Sequence, residues 1–283
     1  MTPGRRGLHG PRPACRTENR CALITTAAAD SPGEAFCERR GFGSALTLDH
    51  LILRPDELPE ADLPQIADAE HPGYRLTGWT GTVPDRLADA FAEAKNAMND
   101  MPVGDVDYGS VAWDGDHVRA MAKVIADRGD TLLTIAAVHG TMAGYTEILL
   151  PQGSGPRAQQ YDTAVVPAHR GHGPGLWVKA AMVRRLRAEH PGAVEIETDN
   201  AEDNVHMLAV NHRLGFRSYR RTHEFQLDEP TDTERTPRTA VGSVTAAVSH
   251  QRRSSGPAAR PGPCRRIQKS ESKEMRITTC VCC

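Results

Sequence analysis

The stretch best equipped for chemistry is Val165-Val166-Pro167-Ala168-His169-Arg170-Gly171-His172-Gly173-Pro174-Gly175-Leu176. An apolar run ends there, a glycine-studded loop follows, and an apolar helical period begins. A junction of that kind presents unpaired backbone N–H groups at a helix N-terminus, where the macrodipole also favours negative charge. Gly171, Gly173 and Gly175 let the main chain approach an anion with no Cβ in the way. The chemistry implied is the cradling of a diphosphate. No Gly-Lys-Ser/Thr follows, which excludes a P-loop, and the third spaced glycine of a dinucleotide fingerprint is missing.

A loop can hold an anion only if the elements on either side fix it. Upstream, 161–166 has the pattern of a strand, and a long helix over 173–189 places Leu176, Ala180, Val183 and Leu186 inward. Arg184, Arg185 and Arg187 of that helix fall largely outward, as a solvated face. Before them, 74–79 alternates like a strand, and Pro84 opens a helix with Leu87, Ala90, Phe91, Ala94 and Met98 on one face. A second helix carries Val118, Met121, Ala122 and Ile125 and ends at Gly129. The apolar runs 132–138 and 142–150, separated by His139-Gly140-Thr141, form a strand hairpin. After the long helix come a strand at 194–198, a helix at 202–214 and a strand at 220–227. The order β-α-α-β-β-β-α-β-α-β is that of an α/β layered fold with a mixed sheet.

The chain has 283 residues with 34 Lys and Arg against 36 Asp and Glu, a formal net charge of −2, so the broad basic field of a nucleic-acid binder is absent. No apolar run approaches the ~20 residues that span a bilayer. The seven cysteines (15, 21, 37, 264, 280, 282 and 283) leave the patterned middle of the chain free of them, so the fold does not rest on disulfides. Their placement favours a reducing cytoplasm. No Cys/His cluster has zinc-ligand spacing. Residues 1–33 and 229–283 are rich in Arg, Pro and Gly and lack a sustained apolar pattern, so both are expected to be disordered. Cys21–Ala29 is too short and too interrupted for a signal peptide, and the Cys280-Val281-Cys282-Cys283 end fits a prenylation box only superficially.

Arg170-Gly171-His172-Gly173-Pro174-Gly175 matches an Arg/Gln-x-x-Gly-x-Gly/Ala signature, and Asn204 through Leu214-Gly215-Phe216 supplies an Asn near a helix start and a Gly-Phe ending. On these residues the segment 73–228 resembles the GCN5-related N-acetyltransferases (GNAT). Ala35-Phe36-Cys37-Glu38-Arg39-Arg40-Gly41-Phe42, followed by an alternating 45–51, reads like the end of another such domain. The chain thus resembles the C-terminal part of an actinobacterial tandem acetyltransferase: 34–53 is the remnant of a preceding repeat, 54–72 a linker and 73–228 the acetyltransferase domain.

The resemblance implies a three-layer α/β/α fold with a mixed, splayed central sheet, and acetyl-CoA as co-substrate without a metal. It implies binding by Val165, Val166, Arg170, Gly171, His172, Gly173, Gly175, Leu176 and Asn204. The amide of Val166 or its neighbour would polarise the thioester carbonyl, a contribution of about 3 kcal/mol. Pro174 offers no N–H and thins the cradle. The acceptor is a small amine or a peptide amino terminus, with no nucleic acid or membrane as partner and a homodimer permitted. An amine must be neutral to attack, and Asp162 and Glu147 are the candidate bases. Asn211 stands where the family usually has a Tyr that protonates the leaving thiolate, which leaves His206 as the candidate acid. Lys95, Asn96, Asn99 and Asp100 end the helix where the family places its acceptor pocket. The competing reading is an acyl-CoA-binding scaffold with weak or no catalysis; a third, a peptide-binding module, predicts no CoA affinity.

Overall fold

The computed structural model describes residues 22–59, 62–106, 111–153, 155–228 and 275–278. Its strands are β1 (Ala22–Ala28), β2 (Gly43–Leu53), β3 (Arg75–Thr80), β4 (Thr131–His139), β5 (Thr141–Leu150), β6 (Arg157–Val165), β7 (Glu195–Ala201), β8 (Arg217–Asp228) and β9 (Met275–Thr278). The helices are α1 (Pro32–Arg39), α2 (Asp62–Ala67), α3 (Ala88–Asn96), α4 (Gly115–Asp127), α5 (Pro174–Glu189) and α6 (Val205–Arg213). One mixed sheet runs in the order β3-β4-β5-β6-β7-β2-β8-β1-β9.

Helices lie on both faces, as a three-layer α/β/α fold requires. On one face α5 buries Val178, Met182 and Leu186 against Leu51, Leu133, Ile148 and Ile196. On the other, Phe91 of α3 and Val118 of α4 pack on Trp79, Ala136 and Tyr145. Covered on both sides, β4 and β5 are buried almost throughout, which is why they read as continuous apolar runs and not as alternations. Asp114 caps α4 by accepting from the His117 amide at 2.7 Å, and Val118, Ala122 and Ile125 form its buried stripe. The expected helix at 84–98 is shorter: α3 is flanked by 3-10 turns at Asp85–Leu87 and Ala97–Asp100.

Two features position the site. The first is a seam. β6 and β7 run parallel and pair only from Arg157↔Glu195 to Gln159↔Glu197. Beyond that point β6 continues beside β5 and β7 beside β2, so the two strands part and leave a wedge-shaped gap at their C-terminal ends. The second is the strand that closes the far side. β2 lies between β7 and β8, antiparallel to both, with Leu51 and Leu53 fully buried. The segment read as a remnant of another repeat therefore supplies an interior strand of this sheet.

The structure corrects the expectation for 22–33, which form β1 and the start of α1 instead of an unstructured extension. β1 pairs along its whole length with β8, about two hundred residues away, and Ile24-Thr25-Thr26 are β-branched residues suited to that place. The expected linker 54–72 contains α2, whose Ala67 carbonyl accepts from the Trp177 indole at 3.0 Å. Of the expected tail, Met275–Thr278 pairs with β1 at the sheet edge. Cys37 is buried and unpaired. The other six cysteines, the signal-peptide segment's first residue and the prenylation-like end lie outside the described residues.

Candidate functional site

After β6, a 3-10 turn at Pro167–His169 leads through Arg170 to Gly173, the N-cap of α5. Gly173 has φ +82°, a left-handed conformation that favours glycine, and Pro174 occupies the first helical turn, where a missing N–H breaks no intrahelical bond. The amides of His169 and Arg170 bond Val166 and Pro167 carbonyls, and that of Trp177 bonds Gly173. Those of Gly171, His172, Gly173, Gly175 and Leu176 meet no backbone acceptor among the described residues. Residues 170–173 are exposed. The loop is thus open, but its free amides start at Gly171: the Arg170 amide is already used. The Arg170 side chain instead braces the loop, donating from Nε to the Val165 carbonyl at 3.2 Å and from Nη2 to Asp100 Oδ2 at 3.0 Å.

Val166 is a correction. Its amide donates to the Ala143 carbonyl at 2.9 Å and belongs to the β5–β6 ladder. Since amides alternate sides in an antiparallel ladder, Val165, paired opposite Gly144, turns its N–H toward the gap. Two glycines permit this close packing. A Cβ on Gly144 would stand 2.8 Å from the Ala164 carbonyl oxygen, and one on Gly175 would stand 3.2 Å from Val165 Cγ2.

On the α3 side of the sheet, the candidate bases meet around a lysine. Lys95 Nζ donates to Glu147 Oε2 at 2.7 Å and to Asp162 Oδ2 at 2.6 Å. Its ammonium also lies 4.8 Å from the Trp113 ring centroid and 5.2 Å from that of Tyr145. Lys95 and Glu147 side chains are fully buried, whereas Asp162 is 22% exposed. Burial pulls the Lys95 pKa down, but the carboxylates of Glu147 and Asp162 outweigh it and hold it above the usual lysine value. Burial pushes Glu147 up, and Lys95 only partly opposes this. Thr134 Oγ1 donates to the other Glu147 oxygen at 3.3 Å. Tyr145 beside them is fully buried with no hydrogen-bond partner for its hydroxyl, and burial, then Asp162 and Glu147, raise its pKa well above the ordinary phenol value. Asn96 and Asn99 do not face this cluster; their amides bond the backbone of Trp113 and Val111 and pin the loop before α4.

Beneath the gap, on the α5 side, lies a second polar group. Lys179 Nζ donates to Gln160 Oε1 at 2.8 Å and sits 5.2 Å from the Phe216 ring centroid. Its residue is 2% exposed, and burial alone lowers its pKa to about 7. Gln160 Nε2 in turn donates to the Glu147 carbonyl and Thr146 Oγ1. Asn211, fully buried on α6, donates to Asn200 Oδ1 at 2.5 Å, while its own carbonyl oxygen is unpartnered. Asn204 is the N-cap of α6 and accepts from the Met207 amide at 3.3 Å, a structural task. His206 is exposed and joins none of these clusters. The outward face expected of the arginines on α5 is only partly so: Arg185 bonds the Trp79 carbonyl and Thr80, and Arg184 pairs with Asp68.

The sequence reading passed over Lys179 and Tyr145. For Lys179 a signal existed: it lies three residues from Leu176 and four from Val183, inside the apolar stripe of a helix. Tyr145 gave none, being one apolar residue in an apolar strand.

Residues 99–216 match the acetyltransferase (GNAT) family. Among solved structures, the chain is similar to a tandem GNAT protein from the clavulanic acid biosynthesis pathway, with 28% identity and a TM-score of 0.61 over 75% of this chain and 66% of that one. It shares its fold with a GCN5-related N-acetyltransferase from Sphaerobacter thermophilus, with 15% identity and a TM-score of 0.54 over 75% of this chain and 61% of that one. The chain thus spans less than two thirds of the length of these relatives. No curated protein matches it.

Proposed function

We propose that this chain, whose residues 99–216 match the acetyltransferase (GNAT) family, moves an acetyl group from acetyl-CoA to the nitrogen of a small amine or a peptide amino terminus by direct attack. The family carries acyl transfer in general; donor, acceptor and residue roles are inferred from the site. One observation carries the reading most. A gap between β6 and β7 opens beside five backbone amides, at 171–173, 175 and 176, that have no backbone acceptor. A group of main-chain donors free of backbone acceptors at a helix N-terminus fits a diphosphate.

Acetyl-CoA supplies an activated thioester. The residues do the rest. The amides of Gly171, His172, Gly173, Gly175 and Leu176 hold the diphosphate, and the inward-turned Val165 N–H receives an amide carbonyl of the pantetheine arm. Lys95, Glu147 and Asp162 together carry one uncompensated negative charge, which favours a cationic amine at the α3 side of the gap. Asp162 is the partly exposed carboxylate of the trio, so it takes the proton that the amine must lose. Glu147, sealed behind Lys95, orients it. No metal takes part in this scheme. Among the described residues no helix is long and apolar enough to cross a membrane, and we place the reaction in the cytoplasm.

The scaffold alternative draws on Lys95, which already occupies both candidate bases, and on Asn211 in place of a tyrosine. Calorimetric titration with acetyl-CoA, followed by thiol release over a panel of amines, separates the two. Binding with turnover supports transfer; binding with no turnover on any amine supports the scaffold; no binding overturns both.

A further inference from the structure

Among the described residues, Lys179 is a buried charged side chain near the gap that the scheme above leaves idle. It projects from α5 toward the point where β6 and β7 part, since its hydrogen-bond partner Gln160 follows the last paired residue, Gln159. Phe216, at the head of β8, and the Asn200–Asn211 pair line the same side of the sheet. Asp162, Glu147 and Lys95 stand on the opposite side, under α3. So do Glu195 and Glu197 of β7, which alternate with the inward Ile196 and are tied up by Arg157. Facing Lys179 are thus Gln160 from β6 and Phe216 just before β8, with Thr146 of β5 behind the glutamine, and none of them is charged. A lysine with a single neutral partner in such a place is costly unless a charge arrives to meet it.

The place is also apt in length. A pantetheine arm anchored at Gly171–Leu176 and laid along β6 extends about 15 Å, or four to five residues of strand. That brings its sulfur level with residues 160–162, above Lys179.

We propose that Lys179 is the acid that protonates the departing thiolate, in the role left open by Asn211. This rests on the acyl-CoA reading of the site. The nitrogen–carbon bond forms as the carbon–sulfur bond breaks. The proton of the attacking amine goes to Asp162, and the sulfur takes a proton from the Lys179 ammonium. Each residue then exchanges with water, the amine regaining its proton and the carboxylate releasing one. The lowered pKa of Lys179, about 7, suits donation to a thiolate, which is the stronger base. Tyr145, with its raised pKa, is a poorer donor.

The test uses the full chain with coenzyme A as the probe and needs no acceptor. The thiolate of bound coenzyme A is followed by its ultraviolet absorbance as pH rises, in wild type and in Lys179→Met and Lys179→Arg. A thiolate beside Lys179 keeps that lysine protonated, so the pair lowers the pH midpoint of thiolate formation in wild type by about one unit relative to Lys179→Met, with Lys179→Arg, a permanent cation, at or below wild type. Calorimetry with coenzyme A and thermal melts run in parallel. Equal midpoints in wild type and Lys179→Met, with both binding and both folded, overturn the proposal and leave the acyl-CoA reading standing. Absence of binding to the wild type overturns that reading as well. Should Lys179→Met fail to fold, Lys179→Gln is measured by the same midpoint and judged by the same criterion.

Discussion

Lys95 Nζ and Glu147 Oε2 lie 2.7 Å apart with both side chains fully buried, so the α3 side of the sheet is built on an ion pair sealed from water. Removing one partner strands a buried charge. Lys95→Met is therefore expected to destabilise the fold by about 3–5 kcal/mol. Adding Glu147→Leu should recover most of that loss, since an apolar pair needs no counter-charge. Urea denaturation of the two single variants and the double variant measures the coupling.

Asp162 is bonded to the same lysine but keeps contact with solvent. On the proposed reading, Asp162→Asn should lower kcat/KM for any amine that is turned over by about 10²–10⁴ and leave acetyl-CoA affinity unchanged. A loss of acetyl-CoA binding in that variant would contradict the division of labour between the two ends of the gap.

Gly144 stands opposite Val165 in the β5–β6 ladder. A Cβ there sits 2.8 Å from the Ala164 carbonyl oxygen, which is backbone and cannot swing aside. Gly144→Val should push β6 away and turn Val165 out of line. Coenzyme A affinity measured by calorimetry is expected to fall about tenfold or more, roughly 1.4 kcal/mol.

Lys179 also makes stability depend on pH. Its folded-state pKa of about 7 lies below the ordinary lysine value of 10.5, so between these pH values the unfolded chain binds more protons than the folded one. Stability from this group rises as pH increases from 7 to 10.5 and is flat below 7, where both states are protonated. Lys179→Met should remove that slope and melt higher than wild type at pH 7, by on the order of a few kcal/mol. Chemical denaturation at a series of pH values reads the slope directly.

β2 fills the place between β7 and β8 with two fully buried leucines. Deleting 43–53 would leave two open strand edges and an uncovered core under α5 and α6. The shortened chain is expected to be insoluble or to lack a cooperative thermal transition, whereas Leu51→Ala alone should cost about 2–5 kcal/mol.

How much of this was legible beforehand follows from where the information sits. α4 could be read residue by residue, because Asp114 as cap, the stripe Val118–Ala122–Ile125 and the following Gly129 are all local signals. The cradle was legible for the same reason: a strand end, three glycines and a helix start are neighbours in the chain. β1 was not. Its seven residues are ordinary until paired with Thr222 through Asp228, and that pairing is a fact about distant residues. Nor was the choice between Val166 and its neighbour, because only the register against Ala143 shows that the Val166 amide is taken. Register is set by how β5 and β6 meet, and the slip between Thr146 and Ile148 lies beyond the reach of a local pattern.

The amino-acid sequence alone determined the α/β order, the open glycine loop ahead of the long helix, and the match of residues 99–216 to the acetyltransferase (GNAT) family. Each of these is written in residues close together along the chain, where backbone geometry and periodicity act directly. Only the tertiary structure decided that Lys95 joins Glu147 and Asp162, that Lys179 lies buried beneath the parting of β6 and β7, and that β2 completes the sheet. Those relations bring together residues tens to hundreds of positions apart, and their energies come from desolvation and pairing, which exist only once the chain has folded.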